Sequence, residues 1–420
     1  MLSKLTLNGV GPAKSLEVEF SERLNLITGD NGVGKSFLLD LAWWVLAGRW
    51  PRSNGQAVPR DDAPDADTYV SGTIDGAVKP FWAFDFPSGE WRNVGDEDIE
   101  NLVIYAQVDG GFSVYDPARR SGDERIPKLS NYLFSAQQVW AGIEENGKWR
   151  CNGLYRDWAS WQREKNHAFW QLKRALEALS PPGETLRPGA LLRISTEDVQ
   201  DYPTIHMPYG IDVPVIHASA AIRRILALAY LLIWTWQEHL QAAALRRQEP
   251  ARELVLIIDE IEAHLHPAWQ KRILPSILTV MEKLTAPTRL PSVQVIASTH
   301  SPLVCVSLED FFDPEKDRLL DLDLDPENGV KLESVPFTKR GTGEKWLLSR
   351  HFDLKSTYSE PAEKALAAAA ALVGREITEP GSVNKDEFLK QDRELRNTLS
   401  DIDSYWVTWP RIGERRGWLL

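Results

Sequence analysis

The sequence has few sulfur-bearing side chains: two cysteines, Cys151 and Cys305, and three methionines in 420 residues. Two distant cysteines exclude a disulfide framework and a thiolate zinc site, and they suit a reducing, cytoplasmic setting. A membrane-spanning run is also lacking. The longest apolar stretch, 225–236, is interrupted by Thr235 and falls short of the roughly 20 residues that a span requires. Residues 1–20 alternate in polarity and hold no apolar signal core, so secretion is not expected. Positive charge is in deficit: 48 Lys and Arg stand against 60 Asp and Glu, a net charge of −12. That excludes a basic nucleic-acid coat over the whole surface, although a local basic patch remains compatible with it. No G-x-S-x-G nucleophile signature, no C-x-x-C spacing and no solenoid repeat occurs. What remains is an ordinary globular composition, 43% hydrophobic and 26% charged, long enough for two to three domains. Its 17 Trp residues are assigned mostly to the core.

Periodicity gives a coarse plan. Residues 3–8 and 16–20 alternate as paired strands do. Residues 23–28 (RLNLIT) read as a buried strand, and 36–48 as a helix with Gly48 at its C-cap. Residues 50–66 are rich in Pro, Gly and Asp and read as a loop. Short strand-like pieces between about 67 and 116 suggest an antiparallel β layer. Residues 154–179 read as one or two amphipathic helices, and 218–247 as a long helix whose apolar first half is buried. The runs 253–259 (ELVLIID) and 293–298 (VQVIAS) suit central parallel strands covered on both faces. A helix is expected at 263–284 and another at 360–372.

The strongest chemical signal is Gly29-Asp30-Asn31-Gly32-Val33-Gly34-Lys35-Ser36, a full match to G-x-x-x-x-G-K-[ST]. Its glycines allow the backbone to wrap a phosphate. Lys35 is placed to reach the β- and γ-phosphates, and Ser36 to bind Mg²⁺. A distant strand ending in an acid should complete the metal site. Leu254–Glu260 supplies one, with Asp259 as the Mg²⁺ partner and Glu260 as the general base for an attacking water. His300 closes a third apolar strand in ASTHSP, where the C-terminal ends of parallel strands face the ligand crevice. Alone it would be read as a core or loop histidine. Beside the other two motifs it is a contact for the γ-phosphate or the lytic water.

Together these segments resemble the ATP-binding-cassette superfamily, and within it the soluble SMC/RecF-like branch of AAA-family ATPases. The P-loop form at 29–36, LIIDEIEAHLHP at 256–267 and ASTHSP at 297–302 carry the likeness over most of residues 1–305. It is nearest to the ATPase subunits of bacterial anti-phage systems of the Septu and retron kinds. The resemblance implies an α/β P-loop fold with a mixed, largely parallel core sheet, an antiparallel β layer and a helical insertion. It implies ATP and Mg²⁺ as ligands, and a head-to-tail homodimer or higher oligomer sandwiching two ATP molecules. It also implies a partner effector such as a nuclease, or a nucleic acid, with no membrane. Ser219, in HASAAIRR at 217–224, takes the place of the signature serine that completes the partner's site. Ala220 or Ala221 stands where the family has glycine, which bears on fast hydrolysis rather than on binding. The Q-loop glutamine, a further metal contact, is assigned to Gln138, with Gln107, Gln137 and Gln162 as alternatives.

The expected domains are an N-terminal ATP-binding lobe, 1–125; a helical insertion, 126–215; a C-terminal ATPase lobe, 216–310; and an extension, 311–420, for partner binding. Other readings compete. A transporter ATPase would bring a better signature segment, and a small-substrate kinase would have no use for Glu260 and His300. His264 and His266 are assigned to dimer contact rather than to a metal. Asp321, Asp323 and Asp325 alternate as a half-exposed strand does. Arg223 and Arg224 either touch phosphate or a partner, or are simply solvated. Arg411, Arg415 and Arg416, with Trp406, Trp409 and Trp418, form either an interface or a docked terminus.

Overall fold

The computed structural model describes residues 1–52, 56–62, 68–94, 99–119, 131–181, 183–285, 292–327 and 329–418. Two compact units divide the chain, 1–346 and 347–420.

The first unit is built on a sheet of eight strands. In spatial order they are Gly329–Val335, Asp317–Asp325, Leu24–Gly29, Ser292–Ser298, Glu253–Ile258, Leu102–Ala106, Phe112–Tyr115 and Asn131–Phe134. The middle five, Asp317–Asp325 to Leu102–Ala106, run parallel, and the outer strands pair antiparallel at each edge. A second, antiparallel sheet joins Ser15–Glu19, Leu2–Asn8, Tyr69–Ile74, Ala77–Asp85 and Glu90–Asn93. Helix Lys35–Ala47 carries apolar side chains on nearly every face because both sheets pack on it. Trp43, Trp44, Leu38 and Leu41 join Leu5, Val70, Val103 and Ile257 in one core. A helix that is apolar all round is a buried helix. Gly48 ends it in the left-handed region, φ 68°, as the C-cap expectation requires.

Several expectations shift here. Leu102–Ala106 and Phe112–Tyr115 were read into the antiparallel layer, but they belong to the core sheet. The completely buried LVIYA sequence pairs parallel with Glu253–Ile258, in register Ile104 with Leu256. Short apolar strands carry no periodicity that tells one sheet from the other. The boundary at 125/126 lies outside the described residues. Within 131–215 the helices Leu154–Glu164 and His167–Leu179 form as two pieces, accompanied by small hairpins. The extension set at 311 divides instead at 347, since Asp317–Asp325 completes the core sheet beside Leu24–Gly29. In that strand Asp321 is buried and accepts the Thr28 hydroxyl at 3.1 Å.

The second unit holds helices Glu360–Thr378 and Lys385–Thr398 and a short C-terminal helix, Trp409–Arg415. Its own core surrounds Phe388 and Trp409, stacked at 4.7 Å. The Trp409 indole donates to buried Asp392 at 3.0 Å, and Arg416 pairs with Glu376. The Trp-rich terminus therefore docks on its own unit, with Trp409 in the core rather than at an interface.

Candidate nucleotide site

The P-loop leaves the strand Leu24–Gly29 and enters helix Lys35–Ala47 directly. Gly29, Gly32 and Gly34 all have positive φ, at 134°, 80° and 100°. They serve different ends. A Cβ on Gly29 would lie 2.0 Å from the Leu322 carbonyl, so this glycine lets the neighbouring strand approach. A Cβ on Gly32 would meet nothing within 4 Å, so this glycine faces open space and serves the loop through its positive φ. Lys35 folds over the loop, donating to the carbonyls of Gly29 at 2.7 Å and Asp30 at 2.6 Å. Burial pushes its ammonium down to about 8, with Glu260, Asp30 and Asp259 opposing that shift.

Asp259 follows the strand Glu253–Ile258 and is fully buried. Its Oδ1 accepts the Ser36 hydroxyl at 3.1 Å and the Ser298 hydroxyl at 2.9 Å. Its Oδ2 is buried with no hydrogen-bond partner among the described residues, and Arg52 stands 3.9 Å away. A buried, orphaned carboxylate oxygen beside a P-loop serine fits a hard divalent cation, since burying a charge is costly unless it is partnered. Ser36 and Asp259 are thus brought together as expected.

Glu260 lies in the left-handed region at φ 45°, held there as its N–H donates to Ser298 Oγ at 2.8 Å. His300 Nε2 is 3.8 Å from Glu260 Oε1. Burial, followed by the nearby Lys35 charge, holds the imidazole below its ordinary value, which favours the neutral ring. Lys35, Glu260 and His300 therefore converge on one mouth. Asp30, Asn31 and Val33 complete the loop, with Val33 buried in the core.

Other assignments change. Gln138 spends its side chain in a capping box, where its Oε1 accepts the Ser135 N–H at 2.9 Å. Gln107 ends the strand next to that of Asp259, and the Asp259 N–H donates to the carbonyl of Ala106 at 2.9 Å. Gln107 is therefore the glutamine beside the acid, its amide donating to Ser113 Oγ and the Pro51 carbonyl. Arg224 is neither solvated nor aimed at phosphate. It is buried and donates to the carbonyls of Gln107 and Asp259, at 2.5 and 3.3 Å. It thus ties the helix Ala220–Arg246 to two strand ends. Arg223 is exposed and lies over Trp140 at 4.8 Å. Ser219 caps that same helix, accepting the Ile222 N–H at 3.4 Å, and it is exposed along with Ala220. Among the described residues, no hydrogen bond or ion pair joins Ser219 to Lys35, Asp259 or His300.

Sequence reasoning missed three residues. Glu262, unassigned within the 256–267 segment, is largely buried and accepts the Thr299 hydroxyl at 2.6 Å and the His300 N–H at 2.5 Å. Burial raises its carboxyl above the ordinary value. Asp40 lies under the site, held by Arg52 at 3.0 Å and by the Tyr105 hydroxyl at 2.8 Å. Its burial raises its carboxyl too, against the pull of Arg52. Helical periodicity had Asp40 as one polar position in an apolar helix, a usable signal. Arg52 lay in a loop with no pattern to mark it.

Comparison with known proteins finds ATPases among the similar chains. Residues 116–307 match the family described as "AAA domain, putative AbiEii toxin, Type IV TA system", and residues 4–105 match an AAA domain family. The fold and the site define a P-loop ATPase, similar to proteins that carry AAA domains. In particular, the chain resembles the SMC/RecF-like ATPases of anti-phage systems, as its motifs implied. The Septu protein PtuA of Bacillus thuringiensis is 21% identical over 316 residues, 72% of each chain. The "Retron Ec83 probable ATPase" of Escherichia coli is 32% identical over 100 residues, 24% of this chain and 15% of that one. The aligned segment thus spans under a sixth of the retron protein. The SMC head domain from Thermotoga maritima is 18% identical at a TM-score of 0.40, covering 80% of this chain and 99% of that one. No helix among the described residues is long and apolar enough to cross a membrane.

Proposed function

We propose that this chain is an ATP-driven switch that closes as a head-to-tail dimer on two ATP molecules and opens on hydrolysis. Closure and opening control a partner effector, a nuclease, in anti-phage defence. The observation that carries this reading is the split site. The P-loop, Asp259, Glu260 and His300 converge within one chain, while Ser219 caps an exposed helix start, its hydroxyl accepting the Ile222 N–H. An exposed helix N-terminus with a serine at its cap suits a phosphate brought by a second copy.

The residues divide the chemistry. Lys35 and the P-loop N–H groups bind the phosphates and fix their orientation. Ser36 and Asp259 would hold Mg²⁺, which supplies charge neutralisation for phosphoryl transfer when bound. Glu260 takes the proton from the attacking water, and neutral His300 positions that water or the γ-phosphate oxygen. Glu262 holds the His300 segment in place. Ala220 or Ala221 at the close approach slows turnover, which suits a switch better than a motor.

The test is the molar mass of Glu260→Gln by light scattering, with and without MgATP. Hydrolysis should fall on the order of 10²–10³-fold with binding retained, as for loss of a general base. The protein should run as a dimer only with MgATP. A monomer under both conditions sinks the sandwich, and hydrolysis at the parent rate removes Glu260 from its role. Co-expression of the trapped form with its neighbouring genes should then recover a stoichiometric effector; a permease recovered instead would overturn the switch in favour of transport.

A further inference from the structure

Two buried carboxylates share one guanidinium beneath the nucleotide site. Asp40 stands on helix Lys35–Ala47 and Asp259 follows the strand Glu253–Ile258, and both are buried. Arg52 reaches both. Its Nε and Nη2 donate to Asp40 at 3.0 and 3.2 Å, and the same Nη2 lies 3.9 Å from Asp259 Oδ2. That oxygen has no hydrogen-bond partner among the described residues. Arg52 is the one cation among them in ion-pair range of the Asp259 carboxylate. Lys35 is spent on the carbonyls of Gly29 and Asp30, and Arg224 on those of Gln107 and Asp259. Arg52 is also held from behind, since the Pro51 carbonyl accepts the Gln107 amide at 3.2 Å and the Ser113 hydroxyl at 3.1 Å. One positive charge thus serves two negative ones. Were Arg52 a brace for Asp40 alone, Asp259 Oδ2 would be a fully buried charge with no cation beside it, a costly arrangement.

We propose that Arg52 is the resident counter-ion of the metal site, which keeps the nucleotide-free chain from taking up a divalent cation at Asp259 and so makes metal entry depend on ATP. A dication approaching the unpartnered Oδ2 meets a guanidinium on the same oxygen. Like charges a few ångströms apart repel strongly where water is scarce. The phosphates of ATP bring the negative charge that offsets this repulsion, so metal enters with the nucleotide rather than before it. Arg52 acts through Asp259 and is a positioning residue. A brace without this role would, on removal, leave metal affinity unchanged or weaken it, whereas removal of a counter-ion strengthens it. The inference rests on the reading of Ser36 and Asp259 as the metal ligands.

The probe is Mn²⁺ alone, titrated into the full chain without nucleotide and read by loss of the free-ion electron paramagnetic resonance signal. Arg52→Gln keeps an amide donor for Asp40 and removes the charge. It should bind Mn²⁺ more tightly than the parent, by on the order of tenfold or more. Adding Asp259→Asn to that variant should abolish the gain. Loss of Arg52 leaves buried Asp40 with fewer partners, so the comparison is repeated in an Asp40→Asn background. There too Arg52→Gln should tighten Mn²⁺, relative to Asp40→Asn alone. Cooperative melting establishes that each variant is folded. Equal or weaker Mn²⁺ binding on loss of Arg52 overturns the proposal. So does a gain that survives Asp259→Asn, since that places the ion elsewhere. The underlying reading fails by a different result: an unchanged spectrum of protein-bound Mn²⁺·ATP in Asp259→Asn alone would remove Asp259 from the metal site, and this proposal with it.

Discussion

The two halves of the nucleotide chemistry are built to different standards. Around Lys35, Asp259 and Glu262, nearly every polar atom is buried and tied within the chain, on strands and turns fixed by the parallel sheet. Around Ser219, the helix start is exposed, its cap bond is long at 3.4 Å, and only Arg224, one turn further on, is anchored. Under the proposed sandwich, the first half is finished before a partner arrives and costs no ordering when ATP binds, whereas the exposed half would gain its ligand only by association.

The comparison breaks most easily at Lys35. In Lys35→Ala, ATP affinity by calorimetry should fall about a hundredfold or more, because charge-assisted contacts of about 1.5–3 kcal/mol each are lost. Unchanged affinity would remove the P-loop from the binding site. The same group gives a pH test. With the free ammonium at about 8 and a bound phosphate favouring the charged form, affinity should be level below that value. Above it, affinity should fall by roughly tenfold per pH unit. A profile flat from pH 7.5 to 9.5 would show that Lys35 does not lose its proton there, and Lys35→Arg should flatten the parent's profile.

The positioning role of Glu262 is smaller. Glu262→Ala should slow hydrolysis by about tenfold with ATP affinity intact, as misplacement of a catalytic group does. Glu262→Gln, whose one carbonyl oxygen can still accept the His300 N–H while its amide donates to Thr299 Oγ1, should recover most of the rate. Equal loss in both variants would point to charge rather than position. Last comes the exposed half. Ser219→Ala should leave monomer affinity for ATP unchanged and cost about 1 kcal/mol or less of stability. It should weaken MgATP-dependent dimerisation several-fold in the Glu260→Gln background. A cap effect without a dimer effect would make Ser219 structural.

Much of the site was legible because its signals are local. Eight consecutive P-loop residues, an apolar strand ending in Asp259-Glu260 and a strand ending in His300 each carry their own context. The glutamine was not legible. Gln107 and Gln138 both sit near turns, and only the pairing of Leu102–Ala106 with Glu253–Ile258 decides between them. Glu262 and Arg224 looked like surface charges, because burial of a charged side chain follows from what packs on it rather than from its neighbours in sequence. The strand Asp317–Asp325 fell within the expected partner-binding extension for the same reason. Asp321 alternates as an exposed residue would, yet its face is closed by Thr28.

By itself the sequence marked a P-loop, a distant acid pair and a histidine as a candidate nucleotide site, since those residues need only their own strand or turn to take their shape. The tertiary structure alone decided which charges serve the site and which hold it up. Strand order put Gln107 beside Asp259. Burial turned Glu262 and Arg224 into braces, left one oxygen of Asp259 without a partner, and left Ser219 outside. Each of those outcomes depends on distant segments meeting, and local pattern carries no record of such meetings.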